Sequence, residues 1–573
     1  MFESKLNKGK NGGYAPLNSQ GIVPIENGQP MVSGGTYSAG LLTLVKTDGS
    51  NINIDGFTTG GTGNGAYWYA ENAAPPATLP IASGTNSIAI GDSAQANSNH
   101  MFVTGSYAGN GATNAIYSNF IGLNAGQNAI GASKSNFIGP QAGFEATNAN
   151  NSNFIGQSAG ELATGASHSN FIGFYAGQGA TNASYSNFMG SDAGKGATDA
   201  YNSFFVGQAA GYQATGATNS NLLGNSAGYQ ATRAFDSNFM GNSAGYEGIY
   251  AGYSNFMGAN AGYQATNAAH SNFMGLNAGQ YAINAQNSNF LGNSAGYGAT
   301  FASDSNFLGQ NAGDGATLAS NSTFIGNSAG HSASGASSSN FFGASAGYRA
   351  TGATQSNFMG QNAGKEASGA SNSNFFGAGA GYCATGAYNS NFIGQNAGYS
   401  ATTAAYSNFL GQNAGYQAIN AAYSNFMGQN AGYIASTANN SNFIGDNAGK
   451  EATNAYHSNF FGGEAGSGAT GTNQSNFLGN GAGKGGTNAA YSNFFGPGAG
   501  KDSIGNNVNA FGVDAGKGNS LNGQTIFSNT SLPSYTNRGA ATTAITVPNG
   551  ARAGNTYLYY NQATFAIEGV RIL

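Results

Sequence analysis

At 573 residues the chain has the length of several globular domains, yet 95 glycines and only 6% charged residues set it apart from ordinary globular sequences. Aromatic content this high, 37 Phe and 31 Tyr, excludes a disordered low-complexity chain. A net charge of −5 with no basic stripe gives neither phosphate runs nor an anionic membrane surface an electrostatic partner, so no nucleic acid is expected as a ligand.

In chain order, residues 1–30 are a non-repeating segment, and Met1 to Lys10 lack the apolar stretch of a signal peptide, so export by the common secretory route is not expected. Residues 31–84 read as a small β-hairpin module and linker: Leu41 to Val45, a turn at Asp48-Gly49, then Ile52 to Phe57. From residue 85 to 516 the chain repeats. A Ser-Asn-Phe-Ile-Gly pentapeptide returns at a strict 17-residue spacing from Ser118 to Gly496 without insertion or deletion, and Leu222 is the sole departure from Phe at its third place. Constant spacing over that length predicts stacked coils, because a globular fold has no need of constant loop length. Residues 517–573 read as a C-terminal β-meander cap, which would cover the strand edge that an open stack exposes.

Each coil offers two short apolar segments between Gly-rich corners and no room for a helix. The first is the Phe pair with its neighbours; the second is Ala112 to Ala115 and its equivalents. Pairing like strands coil to coil predicts an all-β parallel β-solenoid of 17-residue coils, on the order of 115 Å long for about 24 coils at roughly 4.8 Å each. The column Phe120, Phe137, Phe154, Phe171, Phe188 and onward to Phe494 is expected to stack as a ladder. The next column is always large and apolar, from Ile121 and Ile138 through Met189, Val206 and Leu223 to Phe342. Successive residues of a strand face opposite sides, so both faces of this strand must be buried and one of them needs a partner. Self-association of identical chains side by side, as a homotrimer, is the expected answer. The Asn column (Asn119, Asn136, Asn153, Asn170) is placed at a corner, where amides can also bond coil to coil.

The stretch Asn86-Ser-Ile-Ala-Ile-Gly-Asp-Ser-Ala-Gln-Ala96, with a 14-residue step from Gly91 to Gly105, resembles the repeat of trimeric autotransporter adhesin heads. That resemblance implies a β-roll packed side by side in threes; the 17-residue coil departs from it, and no counterpart of the family's signal peptide, stalk or membrane anchor is expected. The segment Lys8-Gly-Lys-Asn-Gly-Gly-Tyr-Ala-Pro-Leu-Asn-Ser-Gln-Gly-Ile-Val-Pro24 resembles the attachment end of tailed-phage fibre proteins, and Leu532 to Leu573 is similar to short C-terminal modules of phage structural proteins. These resemblances imply a structural and adhesive fibre on a virion surface. Its N-terminus would be held by a phage structural protein, and a host-surface glycan or protein would be its target. The alternatives are a bacterial surface adhesin and an ice-binding β-solenoid, the latter suggested by the column Thr113, Thr147, Thr164, Thr181, Thr198, Thr215 and Thr232.

No catalytic constellation emerges, and neither enzymatic activity nor a cofactor is expected. Cys383 is the only cysteine, which leaves no intrachain disulfide and no cysteine-based metal site. His168, His270 and His457 share one place in coils far apart, too distant to hold one metal. Gly61-Thr-Gly-Asn-Gly65 has no following Lys and is not a phosphate loop. No apolar run is long enough for a membrane helix. The candidate binding feature is a Tyr stripe after the Ala-Gly corner, Tyr212, Tyr229, Tyr246 and Tyr263, then Tyr382, Tyr399, Tyr416 and Tyr433, which can serve either glycan stacking or plain coil packing.

Overall fold

The structure, a computed structural model, describes residues 78–527 in full. Beyond them it describes only the backbone strands Val32–Ser38, Leu41–Lys46, Asn51–Asp55, Ala66–Tyr67, Thr556–Asn561 and Ala566–Arg571. The expected attachment segment at 1–30, most of the linker and most of the C-terminal cap lie outside the described residues. The first three strands pair antiparallel in order, and the last two pair antiparallel with each other. The chain divides into two compact units, Met1–Ser254 and Asn255–Leu573.

Both units contain parallel β-solenoid. In the first, three-residue strands from Ile88–Ile90 to Asn238–Met240 pair each with its equivalent one coil on. In the second, the same ladder runs from Asn255–Met257 to Thr525–Phe527. There is no helix among the described residues.

One coil shows why. In Ser118 to Lys134 the backbone takes positive φ at Gly122 (133°), Asn124 (56°), Gly126 (63°), Asn128 (56°), Gly131 (68°) and Lys134 (57°). Left-handed residues this frequent turn the chain continually, and Gly and Asn tolerate them best. The amide groups left free by the turns bond along the stack, as in Asn119 N–H to the Ser135 carbonyl (2.9 Å) and Gly122 N–H to the Thr104 carbonyl (2.8 Å). At Gly122 a Cβ would lie 2.6 Å from the backbone of Gly139, so the coil spacing itself demands Gly there.

The burial pattern of the strands settles which column faces inward. Phe120 is fully buried, while Asn119 and Ile121 on either side point outward. Neighbouring Phe rings stack at 4.6 to 4.9 Å in the first unit and 4.6 to 4.8 Å in the second. Gly126 lies against the Phe120 ring, where a Cβ would come within 2.6 Å of it, and Ala125, Ala129 and Ala132 complete the narrow core.

Coil length tracks core volume. The opening 14-residue coil, between Ile88–Ile90 and Phe102–Thr104, buries Ala89 and Val103. The 17-residue coils bury Phe, and the 16-residue coils after Asn493 bury Ala510 and Ile526. The longer perimeter makes room for the ring, as dense packing without voids requires.

Two expectations are corrected. The second apolar segment is not a strand: Thr113 makes a one-residue parallel bridge to Ile130, because Asn114 (φ 55°) bends the chain at once. Nor does the Asn column sit at a corner. It opens each strand and shares the outward face with the aliphatic column.

Candidate functional site: the outward columns

What the solenoid can bind is decided by its outward columns. On the strand side these are the Asn ladder, the aliphatic column and the residue after the strand Gly. The Asn119 side-chain amide donates to Asn136 Oδ1 at 2.6 Å, and the ladder continues through Asn153, Asn170 and Asn187. In the second unit it runs from Asn340 to Asn509 without a break. Each amide satisfies the next, so the ladder holds register rather than offering free donors. The aliphatic column stays partly in water, with Ile155, Ile172, Met240, Met359, Ile393 and Leu478 between 36% and 40% exposed. Across these three columns, from Asn119 to Val513, Asp446 is the only charged residue.

The two residues after the Ala-Gly corner carry most of the charges of the coils and the Tyr stripe. Tyr212, Tyr229, Tyr246, Tyr263, Tyr382, Tyr399, Tyr416 and Tyr433 are all half-buried. Tyr212, Tyr229 and Tyr246 stack in parallel at 4.8 Å, and Tyr382, Tyr399, Tyr416 and Tyr433 at 4.8 to 5.0 Å. Along each run the ring faces lie against one another, which leaves mainly the outer edges to solvent. Sequence inspection missed further members. His331 stacks on Tyr348 at 4.9 Å, and Lys365 lies 5.4 and 5.5 Å from the rings of Tyr348 and Tyr382. Tyr281 wedges edge-on between Tyr263 and Tyr297, although it belongs to the adjoining column. The recurring Tyr after Ala-Gly at Tyr297 and Tyr348 was the signal that could have found them.

Burial, followed by the neighbouring Cys383, Glu366 and Tyr399, raises the Tyr382 phenol above its ordinary range. Burial, followed by Tyr416, Cys383 and Glu366, does the same for Tyr399. The Cys383 thiol is pushed up by burial and by its contact with Glu366. Nearby, burial raises Asp314 against the lowering effect of His331, 3.6 Å away. Lys484 bonds Glu464 at 2.7 Å and holds that carboxyl below its usual value.

The buried Ser column was also overlooked. Ser118 Oγ donates to the Ala132 carbonyl at 2.6 Å and accepts the Ser135 N–H at 3.1 Å, and the pattern recurs along both units. A hydroxyl both donates and accepts, which is what this interior position needs. The three histidines sit at left-handed corners, with φ between 56° and 59°. Among the described residues no group of three His, Cys, Asp or Glu could hold a metal ion, and no helix is long and apolar enough to cross a membrane. The Thr column faces outward and bridges coil to coil between buried Ala columns.

No protein-family model matches the chain, and no curated protein matches it.

Proposed function

We propose that the chain is a structural and adhesive fibre of a bacteriophage particle. Three copies lie side by side, and the fibre reaches outward to a host-surface glycan or protein. The observation that carries this reading is the nearly uncharged strand face, where a large apolar column runs beside the Asn ladder with Asp446 as its one charge, while the two residues after the Ala-Gly corner bear most of the charge in the solenoid. A partly exposed large apolar side chain in every coil, aliphatic in most and Phe in others such as Phe342, is stabilised by removal from water, at about 25 cal/mol for each Å² covered. Only a partner with the same repeat can cover such a column coil by coil, and a second copy has it. Methionines such as Met257, Met274 and Met427 in that column suit adaptable packing. The chain then works mechanically and by adhesion, without catalysis, and the likeness of both ends to phage proteins supports a position on a virion.

Mass measurement in solution tests the assembly: three chains are expected, and a stable monomer at micromolar concentration would remove the side-by-side trimer. Replacing Ile393, Leu410 and Met427 together with Lys should separate the chains while leaving the β-structure signal intact. Imaging intact particles labelled at the C-terminus tests the location, and label absent from purified virions would remove the phage assignment. The 14-residue opening coil favours a second reading, a bacterial surface adhesin, for which the label would sit on the cell envelope instead.

A further inference from the structure

We propose that the parallel tyrosine runs are sites of oxidative coupling, where phenols in adjacent coils join as dityrosine and staple the solenoid to itself. This inference does not depend on what the fibre binds.

Parallel stacking places like atoms of neighbouring rings one coil apart. Tyr212, Tyr229 and Tyr246 form one such run, and Tyr382, Tyr399, Tyr416 and Tyr433 a second. Tyr406 and Tyr423 make a separate pair at 4.8 Å, with 45% and 58% of their surfaces exposed. In each case the ring planes are within 12° of parallel, so the edges of one ring run alongside those of the next. Small rotations of half-buried side chains can therefore bring those edges together while the backbone ladder stays in register. Not every tyrosine contact has this property. Tyr281 meets Tyr263 and Tyr297 at 82° and 88°, and Tyr388 meets Tyr406 at 79°, so an edge there points at a face. The structure thus contains its own internal comparison.

The chemistry requires an external one-electron oxidant, and a haem peroxidase with hydrogen peroxide supplies it. Each phenol gives up one electron and its hydroxyl proton, forming two phenoxyl radicals. A carbon–carbon bond forms between the ortho positions, and the two ring hydrogens return to the oxygens. The pair has lost two hydrogens, and one hydrogen peroxide has become two waters. With Cys383 as the only cysteine, no disulfide within one chain can perform the same stapling.

The test treats the full chain with peroxidase and peroxide, then digests it under denaturing conditions for mass spectrometry, with dityrosine fluorescence as a second readout. Links between tyrosines in successive coils, such as Tyr399 to Tyr416, each with the loss of two hydrogens, are expected in an amount independent of dilution. The double variant Tyr399→Phe with Tyr416→Phe keeps the ring shapes but leaves no adjacent phenols in its run. It should lose every link there and retain Tyr212 to Tyr229. Links found chiefly at the edge-on pairs, links between separate chains that fade on dilution, or no dityrosine at all would overturn the proposal.

Discussion

Two aromatic ladders run along the same coils, one inside and one outside, and their different regularity is instructive. The Phe rings stack at 4.6 to 4.9 Å and the Tyr rings at 4.8 to 5.0 Å, so ring-to-ring geometry is nearly the same. Yet the inner ladder tolerates only Leu222 between Phe120 and Phe494, whereas the outer one admits Lys365, Gln280, His331 and Asp314. Stacking is worth about 0.5–1.5 kcal/mol for a pair beyond area burial, too little to demand a ring in every coil. Full burial of the ring against Gly and Ala makes the demand. The outer column can therefore vary, and its variation reports what the solvent side can accept.

Substitutions that break each ladder should separate by size. Phe358→Ala removes a fully buried ring and two stacking partners, and should cost about 3–5 kcal/mol. Repeat proteins open locally, so hydrogen exchange around residues 341–375 is the suitable measurement, with protection lost there first. Ser373→Ala leaves the Ala387 carbonyl and the Ser390 N–H without their partner, at about 2 kcal/mol by the same measurement. Tyr399→Ser on the outer ladder should cost only about 1 kcal/mol, and a loss equal to that of Phe358→Ala would erase the distinction between the ladders. The smallest effect is a gain. Thr472 occupies an inner Ala place with its hydroxyl unpartnered and fully buried, so Thr472→Ala should stabilise its coil by about 1 kcal/mol.

The 17-residue period carried the fold class in plain sight, since unbroken spacing admits little besides stacking. Strand faces were harder to assign. Phe120 and Ile121 are both large and apolar, and only the folded coil, which buries Phe120 against Gly126 and leaves Ile121 partly in water, tells them apart. The Thr113 segment looked like a strand because its short apolar run outweighed the Gly and Asn that recur at the place of Asn114, as in Gly131, Asn148 and Gly165; short-range strand propensity gave way to turn geometry. Ser118 escaped notice for a related reason. Serine is ordinary at loops and corners, and its double hydrogen bond depends on a carbonyl 14 residues ahead. The Tyr column was visible, but Tyr281, which reaches into it from the next column, was not.

The bonds that join one coil to the next, such as Asn119 N–H to Ser135, run along the direction of stacking. A pull on that direction strains them end-on, and they release in sequence as a coil peels. Each coil set free lengthens from about 4.8 Å to roughly 58 Å of extended chain, while its neighbours keep their own bonds. Under load a stack of this kind yields coil by coil, in steps set by the length of each coil.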